Sequence, residues 1–225
     1  MTGVSVIIPT LNEAAGIAAA IATLRRQQPR EIIVADGGST DATVDEARAA
    51  DVVLTAPRGR AAQMNAGAAH AQGEHVLFLH ADCTLADGAL AAICPALWRP
   101  RVIAGCFSMR VAAPGLLFRS IDCCATARVR LTGIAYGDQG LFLRRDDFTR
   151  LGGFPPVRFM EDVFFSRTLR RRGRVIVLPY AIHVSPRRWQ QVGIVRQTLR
   201  NWTLTGLALA GVSPDRLAAH YPRLR

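Results

Sequence analysis

Four short β-branched runs, spaced by alanine-rich stretches of helical length, fill the first half of the chain and leave few folds open to it. Val4–Ile8, Glu31–Ala35, Asp51–Leu54 and His75–Leu79 read as buried strands, and Glu13–Arg26, Asp41–Ala49, Arg60–Ala71 and Ala86–Leu97 as helices between them. Units of this kind feed a parallel sheet covered on both faces. From Ile103 to Val111 the period drops to two, which predicts a strand with two unlike faces. Leu116–Leu131 follows as a helix, Leu141–Arg144 as a strand, Glu161–Arg172 as a helix and Arg174–Pro179 as a strand. With 225 residues, no repeat and no linker, the chain is expected to fold as one α/β domain.

From Trp189 to Leu209, apolar residues recur at Val192, Val195, Leu199, Trp202 and Leu209, on one face of a helix. The uncharged run Trp202–Val212 is too short to cross a bilayer. Packing against the core is the expected fate of this segment, and an amphipathic helix on a membrane surface is the alternative.

The net charge is +11, and all of the basic charge is arginine, since no lysine occurs. Arginine suits phosphate, but this charge alone admits nucleic acid, an anionic membrane, a phosphorylated small molecule or a merely solvated surface. No aromatic-rich basic strand and no recognition-helix pattern accompanies it, so nucleic acid is not an expected partner. Five cysteines, an odd number without a C-x-x-C pair, and no secretory signal point to a reducing cytosol, with the mature chain beginning at or near Met1.

In an open α/β sheet, ligands bind beyond the carboxyl ends of the strands. Here those ends carry Thr10-Leu11-Asn12-Glu13, Asp36-Gly37-Gly38-Ser39-Thr40-Asp41, Arg58-Gly59-Arg60 and His80-Ala81-Asp82. Each also has a bland reading. Ser39 or Thr40 can cap the next helix, Arg58 and Arg60 can sit solvated in a loop, and Glu161-Asp162 can stabilise a helix N-terminus.

Taken in order, these segments resemble glycosyltransferase family 2, over nearly the whole chain. Ile7–Glu13 looks like its opening strand and turn, Asp36–Asp41 like its base-binding turn, and Gly59-Arg60-Ala61-Ala62-Gln63-Met64-Asn65 like its third signature. The resemblance implies a GT-A fold, Rossmann-like, with a mixed and mostly parallel central sheet flanked by helices and a C-terminal helical tail. It implies a catalytic domain over 1–188 and a helical extension over 189–225, packed on the domain or at a membrane surface. The implied activity is inverting transfer of a sugar from a nucleoside-diphosphate donor to a hydroxyl acceptor, either a small molecule or lipid-linked. A nucleotide-sugar-binding module with weak catalysis is the alternative.

The donor set implied by the resemblance is Pro9, Thr10, Asn12, Glu13, Asp36, Gly38, Arg58, Arg60, Asn65, His80, Ala81 and Asp82. His80-Ala81-Asp82 stands where the family carries an Asp-x-Asp metal motif, with histidine in place of the first aspartate. Asp82 and His183 are the implied ligands of a divalent cation, Mn2+ or Mg2+, and an imidazole ligand favours manganese. Met160-Glu161-Asp162 resembles the motif of the catalytic base, which makes Asp162 the base and Glu161 its support. Gly137, Asp138, Gln139, Arg188 and Trp189 fall on the acceptor side. Arg188-Trp189 resembles half of a Gln-x-x-Arg-Trp signature, but Ser185 stands where glutamine would be, so processivity is not expected. Gly59–Asn65 and Tyr136–Gly140 look like a small bacterial subgroup associated with arsenosugar-type biosynthesis. The implied location is cytoplasmic or peripheral at the inner membrane face, and a homo-oligomer is compatible with the sequence.

Overall fold

The computed structural model describes residues 2–219; Met1 and positions 220–225, the end of the expected extension, lie outside the described residues. The first half runs β1 (Val4–Thr10), α1 (Ala14–Arg25), β2 (Glu31–Asp36), α2 (Thr43–Glu46), β3 (Val52–Thr55), α3 (Arg60–His70) and β4 (His75–Phe78). The second runs β5 (Cys83–Leu85), α4 (Ile93–Leu97), β6 (Val102–Val111), α5 (Leu116–Thr132), β7 (Leu141–Arg144), α6 (Arg145–Arg150), α7 (Glu161–Arg170) and β8 (Arg174–Val184). Helices α8 (Arg187–Val192), α9 (Ile194–Leu209) and α10 (Pro214–Ala219) close the chain.

The eight strands form one sheet in the order β3-β2-β1-β4-β7-β6-β8-β5. β1 pairs parallel with β2 and β4, β2 with β3, and β6 with β8, while β7 is antiparallel to both of its neighbours and β5 to β8. The sheet is thus mixed and mostly parallel, flanked by helices. β1 and β2 are buried along their whole length, which is why they read as unbroken apolar runs. Alternate residues of β1 feed two cores: Val4, Val6 and Ile8 meet α1, while Ile7 meets Ala61, Met64 and Ala68 of α3. Helix α3 lies so close to the sheet that a Cβ on Gly67 would stand 2.5 Å from Ile7 Cγ2, a position only glycine fills.

Several elements differ from expectation. The expected helix 41–49 keeps a single helical turn at α2, and the expected helix 86–97 keeps only α4. The strand expected to stop at Pro179 continues to Val184. Its pairing with β6 slips between Leu178 and Ala181, and this irregularity absorbs a proline that a regular ladder rejects. The single helix expected over 189–209 divides at Gly193, whose φ of 93° ends α8 and opens α9. A third apolar cluster fixes α9: Leu204 and Ala208 pack with Ile134, Met160 and Val163.

Candidate active site

A cavity of about 350 Å³ opens at the carboxyl ends of β1 and β4. Of the residues expected to serve a ligand, Pro9, Asn12, Glu13, Arg60, His80, Ala81, Asp82, Gly137, Asp138, Asp162, Arg188 and Trp189 line it. The two carboxylates that the sequence sets 80 positions apart, Asp82 and Asp162, therefore face one space.

The wall around Asp162 is tightly built. Gly137 N–H donates to Asp162 Oδ2 at 2.6 Å, and Val163 N–H donates to Oδ1 at 2.7 Å. Asp162 opens α7 behind Met160, a non-glycine residue held at a φ of 60°, the kind of local strain that the surrounding structure must over-determine. A Cβ on Gly137 would stand 2.7 Å from His80 Nε2 and 3.4 Å from Asp162 Oδ2. The imidazole and the carboxylate thus converge on one glycine, which brings the end of β4 and the start of α7 together. Beside Asp162, Glu161 is buried and its Oε1 lies 3.7 Å from Arg60 Nη1. Burial raises the Glu161 carboxyl, Arg60 opposes that shift, and Asp162 adds to it.

The loop 136–140 is held from behind. Arg128 donates from Nη2 to Gln139 Oε1 at 2.6 Å and stacks its guanidinium 3.3 Å from the centre of the Tyr136 ring. The Tyr136 hydroxyl meets Thr205 Oγ1 at 2.5 Å, tying this loop to α9.

Burial, opposed by Arg128 and then reinforced by Asp162, pushes the Asp138 carboxyl up to about 6 from its ordinary 3.8. The stability tied to this group is complete below the unfolded value and is lost as pH rises through about 6. Asp138→Asn is therefore expected to raise Tm at pH 7.5 in metal-free buffer by about 2–4 °C. The gain should shrink toward zero as pH falls from 6 to 4, and a thermal melt series in pH checks it.

His80, Asp82 and Cys83 each offer a ligand atom, and these atoms lie within 4.8 Å of one another. Burial, reinforced by the Asp82 charge, raises the Cys83 thiol well above its usual range. A thiol so disposed stays protonated and is a poor ligand for a hard cation. The imidazole and the exposed Asp82 carboxylate remain, a donor pair that fits a divalent metal also bound by diphosphate oxygens.

Several expected residues lie away from the cavity. His183 is exposed on β8 while the next residue, Val184, lines the cavity, so strand alternation points the imidazole to the other side of the sheet. It pairs in register with Thr84 and Arg110, and it is not among the ligand-bearing side chains around Asp82. His183, expected as a ligand of the same cation as Asp82, thus lies away from the cavity that Asp82 lines. Asp36 is buried, and its oxygens accept from Thr10 Oγ1 at 3.1 Å, Gly38 N at 2.9 Å, Ser39 N at 2.8 Å and Ser39 Oγ. All four contacts are local, so Asp36 shapes its own turn. Asn65 bridges to the backbone of Phe154, donating to its carbonyl and accepting from its N–H, both at 2.9 Å. Arg58 is exposed in its loop, Gln139 and Thr10 are buried in hydrogen bonds, and Gly38 turns the chain at a φ of 84°.

Sequence reasoning missed one wall of the cavity, which Gln197, Asn201 and Thr205 supply from α9. Their spacing of four was the signal that could have found them.

Residues 5–145 match the sequence profile of glycosyl transferase family 2. No curated protein matches the chain. Among solved structures it is similar to residues 1–349 of S. aureus TarS at 20% identity, with a TM-score of 0.63, covering 95% of this chain and 68% of that one. The same fragment in complex with UDP-GlcNAc aligns at 20% identity and a TM-score of 0.63, over 81% of this chain and 58% of that one. GalNAc-T7 with UDP, GalNAc and Mn2+ aligns at 17% identity and a TM-score of 0.63, over 81% of this chain and 43% of that one. The chain thus spans about two thirds of the TarS fragment and less than half of GalNAc-T7.

Proposed function

The chain belongs to glycosyl transferase family 2, and we propose that it transfers a sugar from a nucleoside diphosphate to an acceptor hydroxyl by a single inverting displacement. The observation that carries this reading is the shared cavity, which His80 and Asp82 line from beyond β4 and Asp162 from the start of α7. The solved relatives that hold UDP-GlcNAc, or UDP with Mn2+, support a uridine diphosphate donor.

In this reading the Asp162 carboxylate takes the proton of the acceptor hydroxyl as its oxygen bonds to the anomeric carbon. The bond from that carbon to the diphosphate oxygen breaks, its electron pair leaves with the nucleoside diphosphate, and the anomeric configuration inverts. Gly137 N–H orients the base through Oδ2, and Glu161 holds the Arg60 guanidinium toward the donor phosphates. His80 and Asp82 would hold a divalent cation, manganese rather than magnesium, which supplies charge neutralisation for the departing diphosphate. Pro9, Asn12, Glu13 and Ala81 complete the donor side; Gly137, Asp138, Arg188 and Trp189 form the acceptor side. Residues 1–188 act as the catalytic domain, and the extension from 189 contributes the far wall. Five free cysteines, two of them exposed, suit a reducing compartment, which supports a cytoplasmic location in this reading.

A thermal-shift series with uridine, guanosine and other nucleoside diphosphates, with and without Mn2+, tests the donor. One nucleotide at about 100 times its Kd is expected to raise Tm by about 5 °C or more, and more with Mn2+ than without. No shift with any nucleotide refutes the reading. A shift with neither transfer nor donor hydrolysis would instead favour a binding module, the reading to which histidine in place of the first metal-motif aspartate lends itself.

A further inference from the structure

Helix α9 has two faces with opposite surroundings. At 100° per residue, Gln197, Asn201, Thr205 and Ala208 fall on one side, which faces the cavity and the core. Val195, Leu199, Trp202 and Leu209 fall on the other and are 60%, 55%, 51% and 41% exposed. The apolar periodicity that would ordinarily mark the docking face of a helix thus points outward. A helix that merely walls a cleft has no need of a leucine and tryptophan stripe in water, and a contiguous stripe of this kind marks a contact surface.

A second element near this helix also exposes apolar residues. Leu116 and Leu117, in the first turn of α5, are 86% and 56% exposed. That end of α5 is tied to the corner between α8 and α9: the Phe118 ring meets Trp189 edge-on at 6.5 Å, and Trp189 Nε1 donates to Thr198 Oγ1 at 3.3 Å. Charge selects the partner. Helix α9 carries two arginines, Arg196 and Arg200, and no acidic residue. Arg196 is exposed and sits at the edge of the stripe, 100° around the helix from Val195. A second copy docked face to face along α9 would bring arginine and no carboxylate to the contact. An anionic lipid surface meets both the apolar face and Arg196 at its edge. Among the described residues no helix is long and apolar enough to cross a membrane, so this contact is peripheral.

We propose that the outer face of α9, with the start of α5, docks on an anionic lipid bilayer. The helix that walls the cavity then sets its acceptor side at the membrane surface, and the acceptor is a hydroxyl-bearing headgroup presented there. The acceptor clause rests on the transferase reading; the docking does not.

Co-sedimentation of the full chain with phosphatidylcholine vesicles, with and without about a third phosphatidylglycerol, tests the docking. Binding is expected to the anionic vesicles, to fall as salt rises, and to be weak on phosphatidylcholine alone. Leu199→Ser with Trp202→Ser should weaken partitioning by at least about tenfold while the nucleotide thermal shift is kept. Arg196→Glu should weaken it several-fold. No sedimentation with anionic vesicles, or equal binding by the double variant, overturns the proposal. A stable dimer in sedimentation velocity that the double variant dissociates also overturns it, in favour of self-association. Vesicle binding by a chain that binds no nucleotide would leave the docking standing and remove the transferase reading instead.

Discussion

Asp162→Asn is expected to lower the rate of sugar transfer by about 10²–10⁴-fold, the span associated with loss of a positioned general base. The amide occupies nearly the same volume and, with its oxygen on the Gly137 N–H and its NH2 turned to the side of the Val163 N–H, keeps the anchor of loop 136–140 while giving up the contact to Val163. What disappears is the acceptor for the hydroxyl proton. Nucleotide binding should persist, because Asp162 acts on the acceptor proton and holds neither the donor phosphates nor the cation. Parallel measurement of transfer rate and of the nucleotide-induced thermal shift separates the two effects, and near-normal transfer removes Asp162 from the role of base.

Asp82→Ala is expected to cost about 10²–10³-fold in transfer at fixed Mn2+, since several kcal/mol of charge stabilisation at the leaving diphosphate is withdrawn. The exposed carboxylate of Asp82 is the one anionic ligand atom in the cluster with His80 and Cys83, whose thiol burial keeps protonated. His80 alone would hold a cation weakly, so the variant should also need more Mn2+ to reach its residual rate. Initial rates across a Mn2+ titration check both points. An unchanged rate with an unchanged metal response would show that Asp82 takes no part in diphosphate departure.

The parts of this fold that were legible from residues alone are those whose surroundings are simple. β1 and β2 are covered on both faces, so their sequences are apolar throughout, and the turns that follow them collect polar residues because open sheets bind ligands there. β5 was illegible because three residues paired at an edge carry no periodic signal. β8 was read too short because the irregular pairing that accommodates Pro179 depends on β6, a strand over 60 positions earlier. The site divides in the same way. Asp82 stood at a legible strand end, but Asp162 was singled out only by the family resemblance, since its residues alone suit a helix N-terminus; the duties of Asp36 and Asn65 depended on which neighbours already used their hydrogen bonds. His183 sits a single step of strand alternation from Val184, which lines the cavity. α9 inverted a usual rule, since its more obvious apolar stripe faces away from the core.

A crystal structure with uridine diphosphate and Mn2+ bears most directly on the claim that one cleft holds both the leaving group and the base. The expected density is a diphosphate between Arg60 and the His80–Asp82 pair, the metal on Asp82, and the Asp162 carboxylate facing the vacant sugar position. A nucleotide seated outside that cavity, or a metal on His183 with Asp82 uninvolved, would contradict it.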